Sequence, residues 1–387
     1  MPYRLIASPF LDHHLLVTPG SNQGVKISPD RYQALQTLDT EDGDVPVWLT
    51  AAAKQRWGID LAGAIAGSVL VRQPTALNYG RASHEVNLGC NYDCEHCYLG
   101  LKKFDGLEWD DRVRLLHTIR DAGVLWLQLT GGEPMIDRHF SDVYALAFDL
   151  GMMIDVLSNG SRLANPGILD LLTRRPPHRI TLSIYGATEA SYDGLTRRRG
   201  AFKAFSAGLA AAHEAGIPMD LSIGVTRSNA HEVDQMRALA DRYGLPHSLY
   251  GNISPTIYGG AEVLASQAPE ILGPRTPFTG CNAGHTFFHV DPFGKASICK
   301  VGREPNIPLL DEGLDGLARL GTIADGLLQR QGGCTGCTLQ GTCGTCMPLV
   351  TLFRKANAPL RNYCQHKETP HGRRQLHVVH PDRAATH

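Results

Sequence analysis

The sequence predicts an α/β protein whose main domain is an incomplete parallel barrel of six strand–helix units. Apolar segments typical of strands alternate with helical segments from about residue 83 to residue 255, a pattern typical of a parallel sheet with its helices outside. The predicted strands end near Leu88, Thr130, Ser158, Ser183, Val225 and Tyr250. Glycines follow four of the helices, where a left-handed residue commonly ends a helix: Gly123, Gly151, Gly216 and Gly244. In such barrels the chemistry lies at the carboxyl ends of the strands.

Helices are predicted between these strands, within a domain of residues 80–270. They cover Trp109–Ala122, Asp137–Leu150, Asn165–Leu172, Ala201–Ala215 and His231–Tyr243. Because parallel strands need crossover connections, each helix is expected to pack on the outside of the sheet.

Charge and hydropathy limit the partners that this chain can have. Lys and Arg number 37 against 38 Asp and Glu, so no positive field favours nucleic acid, and no nucleic-acid partner is expected. No apolar run reaches the length of a membrane-spanning helix, roughly eighteen residues. The start, MPYRLIASPF, lacks a charged leader followed by an apolar segment. We therefore expect a cytoplasmic protein without membrane contact.

Residues 1–75 predict a small separate domain. Short strands are expected at Tyr3–Ala7 and His14–Val17, and Ser28-Pro29 favours a helix through Leu38. Two more helices are expected over Val45–Trp57 and Leu61–Val71. Strands followed by three short helices resemble the winged-helix peptide-recognition domain of peptide-modifying enzymes, which implies binding of a leader peptide at the sheet edge. The alternative is a cap that covers the barrel.

The ten cysteines are unevenly placed and indicate two metal-binding regions. Three lie within residues 90–97, none between 98 and 280, and seven within 281–364. In a chain without an export signal this number favours metal ligation over disulfides. The division also predicts a cysteine-rich domain over residues 275–370, followed by a mobile histidine-containing tail at 371–387.

The segment CNYDCEHCY carries Cys90, Cys94 and Cys97. Thiolates at this spacing can bind three irons of a four-iron cluster and leave the fourth iron open. A zinc site completed by His96 is the alternative. The spacing, with Tyr98 directly after it, resembles the cluster loop of the radical S-adenosylmethionine (radical SAM) family. The resemblance implies a partial (β/α)6 TIM-like barrel and a [4Fe-4S] cluster whose open iron binds the amino and carboxylate groups of SAM. It also implies that one electron from the cluster cleaves SAM to methionine and a 5′-deoxyadenosyl radical, which removes a hydrogen atom from substrate.

The segment TGGEP follows the second predicted strand and contains Gly131, Gly132 and Glu133. Glycines leave the backbone open to close approach because they have no Cβ. The segment resembles the family motif that holds the SAM amino group, and Glu133 supplies negative charge beside a cationic ligand.

Further SAM contacts follow from the resemblance. Ser158 and Asn159 end the third strand and resemble the ribose-contacting position, although Asn159 is equally consistent with a helix cap. Ser183 resembles a polar position near the SAM carboxylate, and Arg197 or its neighbours Arg198 and Arg199 would supply a cation for that group. Tyr98 is expected on the adenine side of the pocket or, alternatively, in the core.

The C-terminal cysteines resemble the SPASM extension, which carries auxiliary iron–sulfur clusters. The resemblance implies one cluster on Cys334, Cys337, Cys343 and Cys364, and a second on Cys281, Cys299 and Cys346. The second set has only three thiols, so its fourth iron is open or bound by His285, His289 or Asp291. The alternative is a zinc ribbon, since paired Cys-x2-Cys is also zinc spacing.

Taken together, the motifs predict a peptide maturase that uses SAM and three iron–sulfur clusters. The resemblance implies a ribosomally made precursor peptide as substrate, oxidative modification such as a cross-link, and an electron donor such as flavodoxin or ferredoxin. Oxidation or decarboxylation of a small molecule or haem precursor is the alternative enzyme, and a non-catalytic zinc or iron–sulfur protein is the third. No catalytic acid or base is identified, since Tyr185, Tyr250 and Asp220 are merely near predicted strand ends.

Overall fold

The computed structural model describes residues 3–38, 43–61, 67–272, 281–328 and 346–363, and every structural statement below concerns these segments. In them, each helix is too short or too polar to cross a membrane.

The N-terminal segments form a four-stranded sheet with two helices. The strands are β1 (Leu5–Phe10), β2 (His13–Val17), β3 (Gly24–Ile27) and β4 (Val69–Val71), and the helices are α1 (Pro29–Thr37) and α2 (Val47–Trp57). The strand order is β3-β2-β1-β4, with β4 parallel to β1. Ser28 caps α1 by accepting a hydrogen bond from the Arg31 amide, as its position before Pro29 predicts. The helices bury Leu35, Leu49 and neighbouring side chains against the sheet.

The third helix predicted in this domain, Leu61–Val71, does not extend to its predicted C-terminal end. Val69–Val71 is strand β4 rather than helix, and residues 62–66 of the prediction lie outside the described residues. Gly67 has a φ of +71°, a left-handed conformation that breaks a helix. A Val-Leu-Val run directly afterwards suits a strand, because its side chains fit the pleated surface beside β1.

Six parallel strands form the main domain, as predicted. They are β5 (Arg81–Asn87), β6 (Trp126–Gly131), β7 (Met153–Ser158), β8 (Arg179–Ile184), β9 (Met219–Gly224) and β10 (His247–Tyr250). The helices between and after them are α3 (Trp109–Asp121), α4 (Phe140–Asp149), α5 (Pro166–Arg174), α6 (Glu189–Thr196), α7 (Ala201–Glu214) and α8 (Val233–Arg242). Helix α6 was not predicted. It starts at Thr188, whose hydroxyl accepts a hydrogen bond from the Ser191 amide.

The sheet continues into the C-terminal region. Strand β11 (Phe287–Val290) pairs in parallel with β5, and β12 (Lys295–Ser297) and β13 (Ile307–Pro308) follow antiparallel. The helices are α9 (Leu309–Leu317), α10 (Leu320–Leu328) and α11 (Met347–Lys355). The nine-stranded order is β10-β9-β8-β7-β6-β5-β11-β12-β13. Lys300, which follows β12, reaches the Gln128 side chain on β6, so this region lies close to the face of the sheet turned away from the helices.

That face of the parallel strands is polar, and we call it the inner wall. It contains Gln128, Leu157, Thr181, Ser183, Asp220 and Ser222, all partly exposed. The alternate residues, such as Leu129, Ile180 and Leu221, are at most 1% exposed within the core shared with the helices. A strand buried on both faces would be apolar throughout, so the polar residues indicate a wetted space inside the barrel.

The N-terminal domain lies against the amino ends of the barrel strands. The ring of Tyr3 stacks on Phe148 with centroids 5.3 Å apart, and Phe10 meets Trp126 edge-on at 4.9 Å. The Arg72 guanidinium donates to the Arg120 carbonyl at 3.2 Å. Trp126 begins β6, so this contact is at the opposite end of the barrel from Gly131.

Candidate functional site

Three free thiols lie together in the loop after β5. Burial raises the pKa of Cys90 to about 11 and raises that of Cys94 further, and each thiol is influenced by the charge of its neighbours, including Cys97. The loop is held by its backbone, because the amides of Asp93 and Glu95 donate to the carbonyls of Thr196 and Leu195 at the end of α6. Helix α6, missed from the sequence, therefore positions the loop.

These thiols fit an iron–sulfur cluster in their donor chemistry. Buried thiols with raised pKa values stay protonated until a metal displaces the proton. The Cys90 sulfur also accepts a hydrogen bond from the Tyr92 amide at 3.4 Å, the kind of contact that tunes cluster thiolates. In the described segments no three His, Cys, Asp or Glu side chains are grouped to hold one metal ion. A four-iron cluster needs no such group, because each thiolate binds its own iron.

Gly131 and Gly132 bring the end of β6 against the start of this loop. A Cβ on Gly131 would lie 2.0 Å from the Asn87 carbonyl oxygen, and one on Gly132 would lie 2.0 Å from that of Gly89. Gly131 also has a φ of +134°. Glycine is required at both positions because the two backbones touch.

The Glu133 side chain ties the ends of β6 and β7 together. Its carboxylate accepts hydrogen bonds from the Asn159 amide at 2.7 Å, the Ser158 hydroxyl at 2.9 Å and the Met135 amide at 3.1 Å. It is fully buried, and burial raises its pKa to about 7 against the lowering effect of these donors.

Asn159 connects this carboxylate to the cysteine loop. Its side-chain amide donates to the Asn91 side chain at 2.9 Å and lies 3.9 Å from the Cys90 sulfur. The structure therefore brings the cysteine loop, Gly131–Glu133 and Ser158–Asn159 to one edge of the barrel.

Arg197, Ser183 and Tyr98 lie around the same edge. Arg197 ends α6, with its side chain 60% exposed and 3.5 Å from the Asp93 carboxylate of the cysteine loop. Ser183 lies on the inner wall, partly exposed. Tyr98 directs its hydroxyl into the barrel, where the oxygen is 3.4 Å from Glu85.

The structure also contains a polar group that no motif indicated, which we call the Glu85 cluster: Glu85, Tyr98, His289 and Arg303. Arg303 binds both oxygens of Glu85, at 2.7 and 2.9 Å. Burial raises the pKa of that carboxyl, but His289 and Arg303 together outweigh burial and hold the pKa well below its usual range. His289 Nε2 is 3.5 Å from Glu85, and its Nδ1 is 2.8 Å from the Ser83 hydroxyl. The sequence signal for this cluster is the glutamate inside the strand RASHEVN. A charged residue is rarely buried without a partner, so this position indicates a cation elsewhere in the chain.

The C-terminal thiols of Cys281, Cys299 and Cys346 also influence one another. Burial raises the pKa values of Cys299 and Cys346, and neighbouring thiols of the same set raise them further. The Cys281 and Cys299 sulfurs accept backbone hydrogen bonds at 3.4 and 3.2 Å, as Cys90 does. The predicted quartet Cys334, Cys337, Cys343 and Cys364 lies outside the described residues.

The three side chains predicted as alternatives for a fourth ligand beside this C-terminal set each have other partners. His285 is 3.0 Å from Asp325, His289 belongs to the Glu85 cluster, and Asp291 accepts the amides of Phe293 and Lys295 in the β11–β12 turn. Their role as ligands remains a prediction.

The residues near predicted strand ends have different surroundings. Tyr185 lies beside the cysteine loop, with its ring 5.0 Å from that of His96. Asp220 pairs with Arg179 at 3.1 Å near the amino end of the strands, and Tyr250 is 52% exposed. These positions identify no acid or base.

The fold and this cysteine loop are those of a radical SAM domain, and residues 85–240 match the radical SAM superfamily. Among curated relatives, the AdoMet-dependent heme synthase of Nitratidesulfovibrio vulgaris is 29% identical over 41% of this chain and 44% of its own length. The mycofactocin maturase MftC of Mycobacterium ulcerans is 27% identical over 57% of this chain and 63% of its own. The PqqA peptide cyclase of Rhizobium meliloti is 29% identical over 41% and 42%. The chain thus spans roughly half the length of the curated relatives it matches.

Among solved structures, SuiB of Streptococcus suis bound to its precursor peptide SuiA is similar in fold. Its TM-score is 0.55 at 12% identity, covering 88% of this chain and 93% of that one. SuiB without the peptide matches with a TM-score of 0.53 at 12% identity, over 88% of this chain and 94% of that one.

Proposed function

We propose that this protein is a radical SAM peptide maturase that removes a hydrogen atom from a ribosomally made precursor peptide and oxidises it, most simply by cross-linking side chains. The observation that carries the proposal is the meeting of the cysteine loop with Gly131–Glu133 and Ser158–Asn159 through Glu133 and Asn159. Relatives that mature mycofactocin and cyclise the PqqA peptide support a peptide substrate.

In this proposal Cys90, Cys94 and Cys97 hold the cluster and Gly131–Glu133 lie beside the SAM amino group. Ser158 and Asn159 face the ribose, while Ser183 and Arg197 serve the carboxylate. When bound, cluster and SAM supply a 5′-deoxyadenosyl radical that takes a hydrogen atom from an unactivated C–H bond. The chain itself holds these groups in place, excludes water and aims the substrate. The polar inner wall supports a peptide, because its hydroxyls and amides can bond to a peptide backbone.

The C-terminal cysteines would hold two auxiliary clusters, one on Cys281, Cys299 and Cys346 and one on Cys334, Cys337, Cys343 and Cys364. When loaded, such clusters supply a one-electron oxidant beside the barrel. Oxidation by loss of two hydrogens then leaves a product lighter than the precursor by two hydrogen masses. We expect reduction by flavodoxin or ferredoxin in the cytoplasm.

Strand β3 is the edge that fits a leader peptide. The other edge of the N-terminal sheet is β4, and Arg72 directly after it contacts the barrel. The β4 edge is therefore less open to an added strand. A leader added to β3 should slow amide hydrogen exchange at Gly24–Ile27 and leave Val69–Val71 unchanged. Equal exchange with and without the leader would assign this domain a capping role alone.

The test of the central proposal is anaerobic SAM cleavage. Reconstituted protein with dithionite should release methionine and 5′-deoxyadenosine, and Cys94→Ala should abolish this while keeping the iron of the C-terminal cysteines. Cleavage retained by the variant, or zinc in place of iron in the purified protein, would refute the assignment.

The substrate is tested by co-expression with a short reading frame, if the gene's neighbourhood contains one. Mass spectrometry should find the encoded peptide lighter by two hydrogen masses per modification. The haem synthase relatives favour the alternative, oxidation or decarboxylation of a small molecule or haem precursor. An unmodified peptide, together with SAM cleavage stimulated by a porphyrin precursor, would select that alternative.

A further inference from the structure

Lys300 extends from the C-terminal region onto the inner wall. Its ammonium donates to the Gln128 side-chain oxygen at 3.1 Å and to the Thr130 hydroxyl at 3.3 Å. Both residues belong to β6, although Lys300 follows them by 170 residues or more. Both acceptors are neutral, and an ammonium has three N–H donors.

The positive charge of Lys300 lacks a carboxylate partner. Within the described segments no Asp or Glu oxygen lies within 4.0 Å of its nitrogen. The nearby buried carboxylate, Glu85, is bound at both oxygens by Arg303. Because Arg303 already binds Glu85, that carboxylate is not the partner of Lys300.

The location of this cation suits a substrate group. Lys300 and Gln128 are partly exposed, although they lie on the inside of the barrel. Thr130, which holds the ammonium, directly precedes Gly131. An anion bound by Lys300 would therefore lie next to the edge where the cysteine loop and Gly131–Glu133 meet.

A charge that is partly withdrawn from water and has no opposite charge beside it lowers stability. Residues that reduce stability in this way are characteristic of binding sites, where the ligand completes the interaction.

We propose that Lys300 is a binding residue for a carboxylate of the substrate, and that it anchors the peptide on the inner wall with the reacting residue next to Gly131. The inference rests on the proposed function. The carboxylate is either an acidic side chain or the peptide's C-terminus, since both present the same two oxygens to the ammonium.

The test measures binding without turnover, on anaerobically reconstituted protein without SAM. The probes are N-acetyl-glutamate N-methylamide, the matching glutamine compound and N-acetyl-leucine with a free carboxylate, and dissociation constants come from saturation-transfer NMR. At least one carboxylate probe should bind tenfold or more tightly than the glutamine compound. Preference for the glutamate probe identifies a side chain, and preference for N-acetyl-leucine identifies the C-terminus.

Lys300→Met should remove this preference, and Lys300→Arg should retain part of it. The matched control is Lys295→Met, because Lys295 is exposed on β12. This variant should bind all three probes as the wild type does. The melting temperature of unliganded Lys300→Met should equal or exceed that of the wild type.

Three results would overturn the inference. They are equal binding of carboxylate and amide probes by the wild type, an unchanged preference in Lys300→Met, or a lowered melting temperature with unchanged binding. A shift in the reduction potential of the C-terminal cluster with unchanged binding would instead make Lys300 a counter-charge for Cys299. If the wild-type protein does not cleave SAM, the proposed function is refuted. That result is independent of this test, because probe binding requires no cleavage.

Discussion

Glu133 shows how one side chain can both assemble a site and limit its pH range. Its carboxylate accepts three hydrogen bonds from two strand ends, yet burial raises its pKa to about 7. The folded state therefore binds a proton more tightly than the unfolded chain, where the value is near 4.5. Stability from this group is complete below the unfolded value and is lost as pH rises through the folded value.

Glu133→Gln removes that titration. The unfolding free energy of the wild type should fall relative to this variant by roughly 2–3 kcal/mol between pH values of about 5 and 8. Urea denaturation of metal-free protein at both pH values gives the difference. A gap between wild type and variant that does not change with pH would mean that burial does not raise this pKa.

At the residue scale, the sequence indicated which side chains meet but not how they interact. The motifs grouped Glu133, Ser158 and Asn159 correctly at one edge. The resemblance assigned them to SAM, whereas in the structure they also bind one another and the cysteine loop. The Glu85–Arg303 pair was not predicted, because its partners are 218 residues apart and no local pattern joins them.

At the element scale, the two glycines at the end of β6 hold the β6 turn against the cysteine loop. A Cβ at Gly132 meets a backbone oxygen, which cannot move as a flexible side chain can. Gly132→Ala should therefore lower the unfolding free energy by at least about 2 kcal/mol and reduce SAM binding.

Gly194→Ala is the matched control. Gly194 lies in α6, where an added Cβ meets nothing within 4 Å, so the change should raise the unfolding free energy by about 0.5–1 kcal/mol. Denaturant unfolding of the two variants measures the sign of the change in unfolding free energy for each. Equal effects would show that backbone contact at Gly132 is unimportant.

The N-terminal domain shares its core with the barrel, since Tyr3, Ile6 and Val17 belong to the same buried cluster as the barrel helices. Tyr3→Ala should lower the unfolding free energy of the barrel by about 3 kcal/mol, because it empties an aromatic site against Phe148. Thermal unfolding checks this. Val47→Ala is the control, since Val47 is 87% exposed. Unfolding of the barrel at wild-type temperature in Tyr3→Ala would indicate independent domains.

Element prediction failed where the chain offered weak periodicity. The main strands and helices follow from repeated apolar segments, and they agree with the structure. Strand β4 has three residues and α6 has eight, too few for a period to stand out. Pairing with β1 determines that β4 is a strand, and contact with the cysteine loop stabilises α6.

At the scale of the whole molecule, the proposed function predicts that changes to the polar inner wall weaken substrate binding and spare SAM cleavage. Thr181 lies on that wall, partly exposed, and Thr181→Trp should fill the space in front of it. Peptide modification should fall at least tenfold, while dithionite-driven SAM cleavage without peptide should continue. The ratio of modified peptide to 5′-deoxyadenosine measures this.

Thr173→Trp provides the control, because Thr173 is exposed on the outer helix α5 and should leave the ratio unchanged. A parallel loss of SAM cleavage in Thr181→Trp would mean that the residue borders the SAM site rather than the peptide.

The whole-molecule topology was predictable only up to β10. Alternating strands and helices predict six parallel units, but β11 joins β5 across 206 residues between Ser83 and His289. No periodicity encodes so distant a pairing. The polar residues of the strands were visible in the sequence, yet their common face emerges only from the strand register.

The pairing of β11 with β5 has a consequence for biosynthesis and for engineering. Strand β5 leaves the ribosome long before its neighbour exists, so the nascent barrel carries an open edge and a carboxylate at Glu85 awaiting Arg303. A chain shortened to the six strands β5–β10 and their helices would keep that defect permanently. Chimaeras that exchange the cysteine-rich region between homologues should therefore carry β11 and the loop through Arg303 along with β5 from the same parent.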